Sequence, residues 1–149
     1  MTATLQMGHV GLNVSDLGRS KRFYQDLLGF ESKLESEEHG RKFILLGRGP
    51  ELLLTLWQQA EGRYAPGRPG LHHLSFQAGT MEEVRAAEAA LKRMGIEFQY
   101  RGVVPHVDGS ASGGIFFHDP DGLRLEIFAP AGAEGIPAPV PGAPTCGFF

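Results

Sequence analysis

An internal repeat constrains the fold of this chain more than any other feature of its sequence. The segment His-Val-Gly-Leu-Asn-Val begins at His9, and a similar segment, His-Leu-Ser-Phe-Gln-Ala, begins at His73, 64 residues later. A helical pattern follows each segment, and the glycines that end the two patterns, Gly29 and Gly95, are 66 residues apart. This near-constant spacing predicts two copies of one structural unit.

The first unit reads as a strand, a helix and three further strands. Its helix is predicted to begin at a cap formed by Ser15 or Asp16, to bury one apolar face and to end at Gly29. A turn is expected around His39 and Gly40, and another at Gly49 and Pro50. The predicted strands cover residues 7–14, 30–37, 42–46 and 52–57.

The second unit repeats this βαβββ order. Thr80 and Glu83 have the spacing of a capping box, and the helix that follows is expected to be buried through Met81, Val84, Ala87, Leu91 and Met94. A Gly/Ser-rich loop is expected around 107–112, and Asp-Pro-Asp-Gly at 119–122 predicts a tight turn. The predicted strands cover residues 71–78, 96–100, 114–117 and 123–128.

The domain organisation follows from the repeat. Modules at 5–58 and 71–129 are joined by a Gly/Pro-rich linker at 59–70, and all belong to one domain of ordinary size. Residues 130–149 form a Pro/Gly/Ala-rich tail whose composition is poor in packing residues, although its final Phe148 and Phe149 could dock on another surface.

Composition narrows the possible partners. A formal charge of −3, with 21% charged residues and no run of lysines or arginines, argues against binding to nucleic acid or to an anionic membrane. We therefore expect a small-molecule partner. The one cysteine, Cys146, cannot form an internal disulfide, and the sequence has neither a signal segment nor a long apolar span. A cytoplasmic protein is the expectation.

Strand alternation predicts where the side chains of three candidate metal ligands point. In the first strand of each unit, His9 and His73 fall on the polar face, opposite an apolar row. Glu126 falls on the same kind of face in the last strand. Two imidazoles and one carboxylate make a facial set that suits Fe(II), Mn(II), Zn(II) or Ni(II) and leaves coordination positions open to substrate or water. His72 is the alternative to His73, while His39 and His118 are read as solvated.

The residues resemble those of the vicinal oxygen chelate superfamily, which includes glyoxalase I, extradiol dioxygenases and the fosfomycin and bleomycin resistance proteins. The resemblance spans about residues 5–129. It rests on His-Val-Gly-Leu-Asn-Val-Ser-Asp (9–16), Ser-Lys-Arg-Phe-Tyr-Gln-Asp-Leu-Leu-Gly-Phe (20–30), Leu-His-His-Leu-Ser-Phe (71–76) and His-Asp-Pro-Asp-Gly-Leu-Arg-Leu-Glu-Ile-Phe (118–128).

The resemblance implies an α+β fold in which two βαβββ modules curl their mixed sheets around a cavity. It also implies one divalent metal ion bound there by His9, His73 and Glu126. In many relatives the cavity is assembled across a dimer, so a homodimer is expected. A substrate with two adjacent oxygens would chelate the metal, which would act as a Lewis acid or bring O2 beside an activated diol.

Two departures leave the reaction type open. Aligning the last strands of the two units puts Thr55 where glyoxalase-type relatives have a further carboxylate ligand. Phe116 takes the place of a tyrosine that extradiol dioxygenases carry, and His106 lies near the position of their acid-base histidine but misses its spacing by a residue. His106 is our candidate catalytic residue.

Two functions of different class remain open. The first is a metal-dependent lyase, isomerase or dioxygenase, and the second is a metal-free binding or resistance protein that sequesters a small hydrophobic or drug-like ligand. In the second case the three metal-ligand candidates would form a polar cavity lining. For either, the candidate substrate-binding residues on the same faces are Asn13, Thr55, Trp57, Ser75, Gln77, Phe116 and Arg124. For Arg124, a surface salt bridge is an alternative.

Overall fold

The computed structural model describes residues 3–147. The chain forms two compact units, and the boundary between them in the sequence falls between Arg63 and Tyr64. Each unit contains one helix and one mixed four-stranded sheet, and neither sheet closes into a barrel. The elements of the first unit are β1 (Val10–Val14), α1 (Leu17–Leu28), β2 (Glu31–Ser36), β3 (Phe43–Arg48) and β4 (Glu51–Gln58). Those of the second are β5 (Leu74–Gln77), α2 (Met81–Arg93), β6 (Val104–Pro105), β7 (Gly113–His118) and β8 (Arg124–Ala129).

The two sheets share one topology. The strand order is β1-β4-β3-β2 in the first unit and β5-β8-β7-β6 in the second. In each sheet the first strand pairs in parallel with the last, and the remaining neighbours are antiparallel. The predicted α+β class and the repeated βαβββ order are therefore confirmed.

The pairing register shows that the two units correspond residue by residue at the candidate site. Val10 pairs with Leu54 in the first sheet, and Leu74 pairs with Leu125 in the second. His9 and His73 each directly precede the first residue of these pairs. Thr55 and Glu126 each directly follow the second residue, so the two side chains stand at equivalent positions of the two units.

Local sequence explains why α1 forms. The Asp16 side chain accepts a hydrogen bond from the backbone N–H of Arg19 at 2.8 Å, which satisfies one of the donors left free at a helix start. Gly29 ends the helix in the left-handed conformation at φ 64°, where a glycine has no steric penalty. Phe23 and Tyr24 are buried and meet edge to face, with ring centroids 5.1 Å apart.

The second helix is held in the same way, with one correction. The capping box of Thr80 and Glu83 is present in both directions, as predicted. Val84 and Leu91, both in α2, are fully buried. Met94, however, is 38% exposed. The expectation that it lies in the core is wrong, because the helix ends at Arg93 and Met94 is its cap.

The strand predicted at 96–100 is also wrong. This segment forms only an isolated bridge between Phe98 and Phe117, and the second strand of the unit is instead the two-residue β6. Ring packing explains the apolar alternation that predicted a strand. The ring centroids of Phe98 and Phe117 are 6.2 Å apart, and those of Tyr100 and Phe116 are 5.6 Å apart. A left-handed Gly102, at φ 62°, separates the segment from β6.

The tail is more ordered over residues 130–147 than its composition indicates. Ala133 and Thr145 are fully buried, and Thr145–Gly147 forms a short 3₁₀ helix. The backbone N–H of Ala133 donates to the carbonyl of Ala111 at 3.0 Å. Phe148 and Phe149, which could dock on another surface, lie outside the described residues. Between residues 3 and 147, no helix has the length and apolarity needed to cross a membrane.

Candidate metal centre

The candidate site is built around the carboxylate of Glu126. This residue lies in β8, an inner strand paired with β5 on one side and β7 on the other, and it is only 2% exposed. A buried carboxylate is costly unless polar partners replace the water that it loses. The side chains that surround Glu126 therefore define what the site can do.

His106 is the first of these partners. It follows β6 directly, and its Nε2 atom hydrogen-bonds to Oε1 of Glu126. Its other nitrogen, Nδ1, lies 2.8 Å from Oγ of Ser112, and that hydroxyl lies 2.9 Å from Oγ of Ser110. His106 thus links the buried carboxylate to the hydroxyl groups of the 107–112 loop, and it contacts the predicted metal ligand.

His73 approaches the same carboxylate from β5. Its Nε2 atom lies 3.8 Å from Oε2 of Glu126, and its Nδ1 atom lies 2.9 Å from Nδ1 of His72. One hydrogen occupies the space between the two Nδ1 atoms. When His73 supplies it, Nε2 keeps a lone pair directed toward Glu126, which is the arrangement of a metal-binding imidazole whose second nitrogen is held by a neighbour.

Electrostatics favours neutral His73. Burial lowers the pKa of its imidazole, against the opposing attraction of Glu126, and the positive charge of Arg124 lowers it further. Only a neutral imidazole offers a lone pair to a metal ion. The surroundings of His73 are therefore those that a ligand histidine requires.

Cys146 completes the cluster. Ligand atoms of His73, Glu126 and Cys146 all lie within 4.8 Å of one another. Burial raises the pKa of the Cys146 thiol, and the nearby carboxylate of Glu126 raises it further. With imidazole nitrogen, carboxylate oxygen and thiol sulfur in one place, the donors fit a divalent transition-metal ion.

His9, the remaining predicted ligand, lies in the first unit. It is exposed and directly precedes β1, which is the place that His73 has before β5. The structure therefore brings together two of the three predicted ligands, within the second unit. The role of His9 stays a prediction that rests on this equivalence.

The predicted substrate-binding residues divide by exposure. Ser75 and Gln77 are exposed on β5, and Arg124 is half-buried on β8. Phe116 is fully buried against Tyr100.

In the first unit, three of these residues already have protein partners. Asn13 accepts a hydrogen bond from the backbone N–H of Gln59 at 2.9 Å. The indole N–H of Trp57 donates to the hydroxyl of the buried Thr55 at 2.9 Å, and the Trp57 ring stacks on Phe43. Thr55 is thus a structural acceptor at the position that Glu126 occupies in the second unit.

Sequence reasoning missed Cys146 as a member of the site. The only signal was its type, since cysteine is a metal ligand, and it sits in a tail that looked unable to pack. Cys146 comes 20 positions after Glu126 in the sequence, and only the folded path of the tail brings its sulfur to the carboxylate.

Comparison with known proteins shows to which protein family the chain belongs. The fold and donor cluster are those of an α+β protein with two βαβββ units and a candidate metal site. The family model described as the Glyoxalase/Bleomycin resistance protein/Dioxygenase superfamily matches residues 6–127. The chain belongs to this superfamily.

Individual relatives agree with this assignment. The chain is 31% identical over 124 residues to the trivalent organoarsenical cleaving enzyme of Bacillus sp. (strain MD1), covering 83% of this chain and 73% of that enzyme. It is 27% identical over 130 residues to the manganese-dependent 2,3-dihydroxybiphenyl 1,2-dioxygenase of Geobacillus genomosp. 3, covering 86% of this chain and 38% of the dioxygenase. These relatives are named enzymes, and the superfamily includes metalloenzymes.

A solved structure shows the same fold. The glyoxylase/bleomycin resistance protein/dioxygenase domain from Frankia sp. EAN1pec superposes with a TM-score of 0.71 at 24% identity. The match covers 86% of this chain and 99% of that domain.

Proposed function

We propose that this protein is a metal-dependent enzyme of the vicinal oxygen chelate type, acting on a small substrate that binds the metal through two adjacent oxygens. The observation that supports it most is the buried carboxylate of Glu126, which His73 and His106 approach from two sides. The enzyme names of its relatives support the same proposal.

His9, His73 and Glu126 would hold the ion, and it would supply Lewis-acid activation of the chelated oxygens. The protein's own residues have separate tasks. His106 holds the Glu126 carboxylate in one orientation through the Nε2 hydrogen bond. The contacts from His106 to Ser112 and on to Ser110, at 2.8 and 2.9 Å, form a hydrogen-bonded chain along which a proton can move. His106 therefore remains our candidate for proton transfer.

The proposal covers lyase, isomerase and dioxygenase chemistry alike. Thr55 offers a hydroxyl that already accepts from Trp57, so it is a poor base. Phe116 offers no hydroxyl at all. The substrate-binding roles of Ser75, Gln77 and Arg124, a homodimeric state and a cytoplasmic location also remain predictions.

The test is the metal content of protein purified without oxygen. We expect about one equivalent of a divalent transition metal by elemental analysis, and loss of that metal in His9→Ala and Glu126→Gln. His39→Ala, which removes an exposed histidine of the β2–β3 connection, is the matched control and should retain it. Native protein without stoichiometric metal, whose properties His9→Ala leaves unchanged, would contradict the proposal.

A metal-free binding protein is the second candidate. The observation in its favour is the aromatic pair of Phe43 and Trp57, stacked at 5.2 Å with Trp57 37% exposed, which offers a surface for a planar ligand. Ligand binding that a chelator does not change, and that Trp57→Ala weakens, would favour this function. Failure to bind any member of a panel of planar drugs would exclude it.

A further inference from the structure

The C-terminal tail is anchored beside the candidate metal centre. Thr145 is fully buried, its backbone N–H donates to the carbonyl of His106 at 2.7 Å, and its hydroxyl donates to the carbonyl of Pro105 at 2.6 Å. The hydroxyl of Tyr100 donates to the Thr145 carbonyl at 3.3 Å. Three hydrogen bonds therefore fix the residue that directly precedes Cys146.

This anchoring places a third kind of donor at the centre. The sulfur of Cys146 belongs to the group whose ligand atoms lie within 4.8 Å of one another, together with His73 and Glu126. Donor atoms around one tetrahedral ion with ordinary zinc–sulfur and zinc–nitrogen bonds are about 3.5 Å apart. The distance from Nε2 of His73 to Oε2 of Glu126 is already 3.8 Å. Small side-chain movements would therefore bring all three atoms to one ion.

We propose that Cys146 is a ligand of the metal ion that His73 and Glu126 hold, supplied by the C-terminal tail. The inference rests on the proposed metal centre and adds a residue of this chain to it. On binding, the thiol loses its proton to solvent and a sulfur–metal bond forms.

A thiolate ligand has a consequence for metal choice. Soft sulfur favours Zn(II) and Co(II) over Mn(II) and Mg(II), which prefer oxygen donors. It also occupies a position that would otherwise be open to substrate. The tail thus selects the metal and limits the open positions, and a substrate that needs two of them competes with Cys146.

Cobalt(II) titration of metal-free full-length protein tests this inference. A thiolate bound to Co(II) gives an intense sulfur-to-metal charge-transfer band in the near ultraviolet. We expect this band at one equivalent in the native chain and its loss in Cys146→Ser. The affinity of Cys146→Ser for Co(II) should fall by about 100-fold or more, because losing a direct ligand costs at least as much as losing an outer partner. Its Mn(II) affinity should change much less.

Thr145→Val provides a second variant that keeps the cysteine. It removes the hydroxyl that donates to Pro105 at nearly constant volume, so the tail is held less firmly and the band should weaken. Ser32→Ala, at an exposed position of β2, is the control and should leave the band unchanged.

The outcomes separate this inference from the proposed function. Stoichiometric Co(II) with no charge-transfer band, or with equal spectra and affinity in native protein and Cys146→Ser, would overturn the role of Cys146 and leave the proposed centre standing. Native protein that binds no Co(II), Zn(II) or Mn(II) would overturn both. A band that is present in the native chain and absent in Cys146→Ser supports the inference.

Discussion

At the scale of residues, Glu126 and Thr55 show how one position of a repeated unit can serve two purposes. Both are buried and follow equivalent strand pairs, but Thr55 is satisfied within its unit by the indole of Trp57. Glu126 has ionisable side chains from three other segments within 4.8 Å of its carboxylate. A bound cation would stabilise the buried negative charge of Glu126. The Thr55 hydroxyl carries no charge and already has a hydrogen-bond partner.

The first prediction concerns the charge of Glu126. Glu126→Gln keeps the volume and removes the anionic donor, so affinity for a divalent metal should fall by more than the 10–100-fold that loss of an outer partner costs. Isothermal titration with Zn(II) and Mn(II) measures it. Glu97→Gln, at an exposed position, is the control. Equal affinities in native protein and Glu126→Gln would show that Glu126 is not a ligand.

The second prediction concerns the support of His106. Ser112→Ala removes the hydroxyl 2.8 Å from Nδ1 of His106, so the imidazole and the Glu126 carboxylate are held less firmly. Metal affinity should fall by about 10–100-fold while the fold is retained. Titration together with circular dichroism measures both quantities. A loss of folding with no change in affinity per folded molecule would contradict this role.

At the scale of elements, β7 begins with two glycines because other backbone segments approach closely there. A Cβ added to Gly114 would stand 2.0 Å from the carbonyl oxygen of Ile127, and one added to Gly113 would stand 2.4 Å from that of Val104. Such contacts cannot be relieved by rotating a side chain. The short β6 and the start of β7 therefore depend on these glycines to pair with their neighbours.

Gly114→Ala is accordingly expected to be strongly destabilising, by about 3 kcal/mol or more, at the upper end of ordinary single substitutions. Chemical unfolding measures the loss. Gly67→Ala, where nothing lies within 4 Å of the added carbon, is the control and should change little. A Gly114→Ala variant as stable as Gly67→Ala would show that the β7–β8 pair tolerates the bulk.

The cap of α1 gives a prediction about pH. The backbone N–H of Arg19 lowers the pKa of Asp16 below its ordinary value of 3.8. A carboxyl whose pKa is lower in the folded state stabilises the fold above the unfolded pKa, and this contribution disappears as the pH falls through the folded pKa.

The comparison is with Asp16→Asn, which keeps a capping oxygen and removes the charge. The native chain should melt at a higher temperature than Asp16→Asn at neutral pH, and the gap should close as the pH is lowered into the acid range. Melting curves along a pH series measure it. A gap that does not depend on pH would mean that the carboxylate charge adds nothing.

The elements also show which parts of the fold the sequence could predict. Capping residues and a clear helical period predicted both helices, and alternation predicted an apolar row that packs on one face of the first strand, in which Leu12 and Val14 are buried. The error at 96–100 arose because Phe98 and Tyr100 alternate as in a strand. Their rings pack on β7, but the backbone joins the ladder only at Phe98.

At the scale of the whole molecule, the repeat predicted the architecture, whereas the site needed three-dimensional information. His73 and Glu126 were predictable because strand pairing carries them to adjacent strands. The hydrogen bond from His106 to Glu126 and the place of Cys146 were not. Both depend on loop and tail backbone, whose path is fixed by individual hydrogen bonds such as those of Thr145, and these have no periodic signature.

The last prediction is that metal stabilises the whole molecule. An ion that binds only the folded chain raises the free energy of unfolding by about 2.7 kcal/mol when its free concentration is 100 times the dissociation constant. For a domain of this size that corresponds to a rise of roughly 5–10 °C in melting temperature. A chelator should reverse the rise, and Glu126→Gln should not show it. Equal melting temperatures of native protein with and without saturating metal would contradict the proposed centre.

The docking of Thr145 and Cys146 has a practical consequence for handling this protein. An affinity tag fused after Phe149 would start shortly after Cys146, which lies beside the Glu126 carboxylate, and a histidine tag would bring competing imidazoles to it. At the other end, Leu5 and Met7 are 88% and 86% exposed, so a tag can extend into solvent there. That end nevertheless lies close in sequence to His9. An N-terminal tag that is cleaved off before any metal is counted is the arrangement that leaves both candidate ligands undisturbed.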